Sequence, residues 1–89
     1  MEELDFIREL PQASKNAGEP MALTISGWKH DLIEQELMSR GVVFMKNTRE
    51  TGSEVVYGRN KEGTWVIETW RFSPTPHSVV LFDPKSNPK

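Results

Sequence analysis

The densest run of strand-forming residues is Thr64-Trp-Val-Ile-Glu-Thr-Trp-Arg-Phe72, with β-branched or aromatic side chains at nearly every position. Such a run predicts the central strand of a sheet. Just upstream, Asn60-Lys-Glu-Gly63 has the order of a three-residue hairpin loop closed by a glycine at positive φ in a bulge. That loop would pair Arg59 with Trp65, Tyr57 with Ile67 and Val55 with Thr69 on one face. On the other it would pair Val56 with Glu68 and Glu54 with Trp70.

The remaining elements follow from the same periodicities. Residues 2–10 carry acids in the first turn and apolar Leu4, Phe6, Ile7 and Leu10, which predicts a short helix ended by Pro11. Residues 12–19 lack apolar periodicity and predict a flexible connector. Met21, Leu23 and Ile25 alternate with small or polar residues, a strand pattern. Ser26 is placed to cap a helix that runs to Arg40, and Gly41 to end it in the left-handed conformation. Apolar runs at Val42–Met45, Glu54–Tyr57 and Ser78–Phe82 supply further strands. The expected fold class is α+β, with one main helix on a four- to five-stranded antiparallel sheet and a short, loosely tethered N-terminal helix. The expected organisation is helix and connector over 1–19, one α+β domain over 20–84 and a disordered tail over 85–89.

Neither sheet face shows the clean polar alternation of a solvated side. The expected hairpin puts Val55, Tyr57, Trp65, Ile67, Val79 and Leu81 on one face, and Val56, Val66, Trp70, Phe72, Val80 and Phe82 on the other. One long helix covers one face. The second needs the first helix, another copy of the chain or a partner protein. The candidate partner-binding residues are therefore Val66, Glu68, Trp70 and Phe72 on the sheet, with Phe6 and Ile7 on the first helix.

Composition narrows the class further. Eighty-nine residues with 36% apolar and 27% charged side chains suit one small globular domain rather than a disordered chain. With no cysteine, disulfides, thiolate metal sites and cysteine nucleophiles are excluded, and a reducing, cytoplasmic setting is expected. No apolar stretch approaches the roughly 20 residues of a membrane span. A net charge of −2 argues against a phosphate-tracking surface.

Candidate chemistry is sparse. His30 and Glu34 are spaced i, i+4, as two metal ligands on a helix can be, but the sequence supplies no evident third ligand, so a solvated helix face with a side-chain contact is the reading adopted. No metal and no cofactor are expected. Glu54 and Glu68 fall on one face in the expected register and resemble the paired carboxylates of glycoside hydrolysis, but no cleft accompanies them. Tyr57, Arg59, Trp65, Trp70 and Arg71 interleave aromatics with cations, as single-stranded nucleic-acid binders do, yet residues 42–76 hold five cations against four acids. An Arg59–Trp65 cation–π pair within an ordinary sheet explains them with less. The function expected is a small non-enzymatic interaction protein, an accessory or regulatory factor binding a protein partner or itself. The alternatives are a single-stranded nucleic-acid binder and a small enzyme or metal protein.

Overall fold

In the computed structural model, residues 3–48 and 53–85 are described. Of the loop expected over 47–52, Asn47 and Thr48 belong to a strand and residues 49–52 lie outside the described residues, as do all but the first residue of the expected tail. The order is α1 (Glu3–Ala17), β1 (Met21–Ser26), α2 (His30–Met38), β2 (Val43–Thr48), β3 (Ser53–Asn60), β4 (Gly63–Trp70) and β5 (His77–Asp83). The strands form one antiparallel sheet ordered β1-β5-β4-β3-β2, with β4 central as expected. The class is α+β. No helix among the described residues is long and apolar enough to cross a membrane.

Helix α1 is longer than its sequence suggests and passes through Pro11. Proline removes the donor to the carbonyl four residues back and costs about 3 kcal/mol in a helix interior. Packing outweighs that cost here, because Ile7, Leu10 and Ser14 on one stripe are all buried. The helix ends at Gly18, at φ +73°, whose amide donates to Lys15, while Glu19 N–H reaches the Ser14 carbonyl at 3.3 Å, a Schellman closure. The segment expected to be a connector is thus mostly helix. Far from loosely tethered, α1 places Ile7 and Leu10 in the same core as Ile33 and Leu37 of α2.

Helix α2 is shorter than expected. Gly27 turns the chain at φ +76°, and the first helical residue is His30 rather than one just after Ser26. Its C-terminus follows the expectation: Gly41 sits at φ +84°, and Val42 N–H reaches the Leu37 carbonyl at 3.3 Å. Arg8 Nε donates to Glu36 Oε1 at 2.8 Å and links the helices. That guanidinium, helped by Arg40, holds the Glu36 carboxyl below its usual range.

The hairpin differs in one residue, and the difference reorders the faces. Asn60 pairs with Gly63, so the loop is Lys61-Glu62 alone, and Tyr57 faces Val66 while Val56 faces Ile67. The Asn60 carboxamide oxygen accepts from the amides of Glu62 and Gly63 at 3.0 Å, so a side chain closes this turn where a left-handed residue was expected. Gly63 has positive φ, but at +158°, not the left-handed value of a bulge. What requires glycine there is space, since a Cβ would overlap the Asp83 carbonyl oxygen of the neighbouring strand. Gly63→Val is expected to cost at least about 1–3 kcal/mol, the usual range for overpacking, read as a lower urea midpoint at unchanged m.

With this register both helices cover one face, formed by Leu23, Ile25, Val80, Phe82, Trp65, Ile67 and Val56. Trp65 is 2% exposed and packs on Phe82 with ring centroids 4.7 Å apart. Gly58 admits the Phe44 ring onto this face, where a Cβ would collide with it. The other face carries Val55, Tyr57, Val66, Trp70, Val79 and Leu81. Val56, Val80 and Phe82 are therefore not companions of Val66 and Trp70.

Candidate functional site

Two places are organised beyond what a core needs. The first is the sheet face that no helix of the described residues covers. Ladder pairing aligns Leu81, Val66, Tyr57 and Met45 in one row across four strands, with Ala22 at its β1 end. Met45 is 74% exposed and its strand neighbour on the same face, Val43, 75%, while Val66, Val79, Leu81 and Trp70 are half-buried. A shallow concavity at the β2 side of this row is lined by Val43, Met45, Tyr57, Arg59 and Thr64. Arg59 lies one row to one side of the Tyr57–Val66 pair, on β3. Glu68 lies one row to the other side, on β4. Trp70 stacks on His77 of β5, with centroids 6.3 Å apart and planes 16° from parallel.

Of the expected partner-binding residues, Val66, Glu68 and Trp70 are brought together on this open face. Phe72 is 84% exposed in the connection after β4, and Phe6 is exposed on α1. Ile7 is fully buried in the core, so it has no surface to offer a partner. The expected Arg59–Trp65 pair does not form, because the register sets the two on opposite faces. The cation–π contact that does form is Arg71 over Trp28, at 4.8 Å.

The second place is a polar cluster at one end of the covered face. There the row Ser78, Thr69, Glu54 crosses β5, β4 and β3 beneath the first turn of α2. Lys29 N–H donates to Ser78 Oγ at 3.0 Å, which pins the start of the helix to β5. His30 is consequently not on a solvated face: it is 2% exposed. Its Nε2 lies 3.7 Å from Glu34, and its Nδ1 lies 3.6 Å from Asp31 and 3.7 Å from Glu54. All three separations exceed hydrogen-bond length, and both ring nitrogens, like Thr69 Oγ1, lack a hydrogen-bond partner. Arg71 pairs with Glu54 at 3.2 Å and Lys46 approaches Glu34 at 3.9 Å.

The sequence hid this cluster for two reasons. Starting α2 at Ser26 takes Trp28 into the helix and sets the expected buried arc at Trp28, Leu32, Ile33 and Leu37, whereas in the structure Trp28 precedes the helix and the buried stripe is His30, Ile33 and Leu37. Glu54 arrives through the β3–β4 register, which also puts it on the face opposite Glu68 and removes the carboxylate pair considered for glycoside hydrolysis.

Comparison with protein-family models, curated proteins and solved structures returned no match to this chain.

Proposed function

We propose that this protein is a non-enzymatic interaction module whose binding surface is the open sheet face, and that the occupant of that face is a second copy of the chain. The observation carrying this reading is the arrangement of charge about the apolar row. Arg59 and Glu68 sit on opposite sides of the Tyr57–Val66 pair, and among the described residues neither has an ion-pair partner. A two-fold axis lying in the interface beside that pair brings each Arg59 over the Glu68 of the other protomer. The row Leu81, Val66, Tyr57 and Met45 then packs on its own copy. Isologous contacts require this kind of self-complementarity. Apolar faces of two sheets packed about 10 Å apart form an ordinary sandwich core.

The same face argues against single-stranded nucleic acid as the occupant. Among the described residues, Arg59 is the only lysine or arginine that the register places there, and Glu68 and Asp83 accompany it.

Charge reversal tests the reading. Arg59→Glu alone is expected to weaken self-association at least about tenfold, since two like-charge contacts replace two attractive ones. Combining it with Glu68→Arg is expected to restore association to within a few-fold of the parent, measured by sedimentation equilibrium. A parent that stays monomeric up to millimolar concentration, or a double variant no better than the single, would overturn the homodimer.

A further inference from the structure

We infer that His30, Glu34 and Asp31 form a binding site for a divalent transition-metal ion of the zinc type, with Glu54 orienting the imidazole from behind. Four observations converge on it. One ligand atom from each of His30, Asp31 and Glu34 lies within 4.8 Å of the others. The separation between His30 Nε2 and Glu34 is 3.7 Å, and two ligands on one tetrahedral ion with bonds of about 2.0–2.2 Å stand roughly 3.3–3.6 Å apart. The imidazole is buried with both nitrogens unpartnered, a costly state for a polar ring that a ligand at one nitrogen and a carboxylate at the other would relieve. Finally, three carboxylates surround the ring against two cations, Arg71 and Lys46.

The roles follow from position. Glu34 faces Nε2; Asp31 lies 3.6 Å from Nδ1 and joins Glu34 at the ion by rotation of its exposed side chain, and the two carboxylates line a surface concavity with Gln35, Met38 and Lys46. Glu54 faces Nδ1 from the sheet and is itself held by Arg71. A shift of under about 1 Å would let Nδ1–H donate to Glu54, the carboxylate–histidine–metal arrangement that fixes the ring tautomer. One nitrogen with carboxylate oxygens suits zinc or a neighbouring first-row ion better than calcium or magnesium, which favour all-oxygen sites.

The test uses the untagged full chain, stripped with chelator and titrated with zinc chloride by calorimetry. One saturable site is expected, together with a rise in melting temperature at saturating zinc. Asp31→Asn changes an exposed side chain and Glu34→Gln preserves shape, so both are expected to keep the fold by circular dichroism. Each should weaken zinc binding about 10–100-fold, and His30→Gln should abolish it. Nitrogen-15 spectra of the imidazole should show the zinc-induced shift at Nε2. Absence of saturable binding at millimolar zinc would overturn the site, as would affinity unchanged in Asp31→Asn and Glu34→Gln. A ring that stays doubly protonated and ignores zinc would assign the cluster to ion pairing instead.

Discussion

A chain lacking residues 1–19 is expected to aggregate or remain unfolded, whereas the intact chain folds. The removed helix takes Ile7 and Leu10 out of the core and uncovers Met21, Leu23 and Phe82 beneath it. Burying each such side chain contributes about 1.5–3 kcal/mol, and two of them together approach the 5–15 kcal/mol by which a typical domain is stable. Ser14, fully buried, adds a hydroxyl that reaches the Glu19 and Phe82 carbonyls and ties α1 to β5. Size-exclusion chromatography with circular dichroism checks the outcome. A monodisperse, fully structured 20–89 fragment would mean that the core closes without α1.

The second large effect is expected at Trp65. Replacing it with alanine should cost about 3–5 kcal/mol, the range for truncating a buried large ring, in urea unfolding. The site cannot collapse easily, because Phe82 holds one side of the ring and the rigid ladder of β4 the other. Trp70, on the same strand but the opposite face, should show a far smaller loss, because it stacks on His77 at a half-buried position. Similar losses at both positions would mean that the open face is closed over in the folded chain.

What could be read in advance depended on whether the signal was local. Strand β4 was legible because residues 64–70 carry β-branched or aromatic side chains at nearly every position, and Gly41 because its left-handed cap is set by its own turn. Helix α1 was misjudged at Pro11, since the compensating burial of Ile7, Leu10 and Ser14 is a tertiary fact. A local clue was present all the same: Lys15 in the last turn, Gly18 and then Pro20 form an ordinary helix-ending signature. Face assignment failed through the hairpin, where Asn60 closed a two-residue loop with its carboxamide, and a one-residue slip turns over a whole strand. The candidate sites inherited that error. Val66, Glu68 and Trp70 remained together because they lie on one strand, whereas Glu54 reached His30 through a pairing that spacing along the chain does not reveal.

The antiparallel union of β1 with β5 has a consequence for the protein as it is made. Met21 pairs with Phe82, about sixty residues later in the chain, while β2 through β5 join neighbour to neighbour. On a ribosome adding about 5–20 residues per second, β1 waits roughly 3–12 s for β5. During that interval the apolar stripe of α1 and the Met21, Leu23 and Ile25 side of β1 have little of the sheet to pack against. Nascent chains therefore pass through a window in which the N-terminal helix and strand are the segment most in need of a chaperone, even though in the finished fold Ile7, Leu10 and Ile25 are buried.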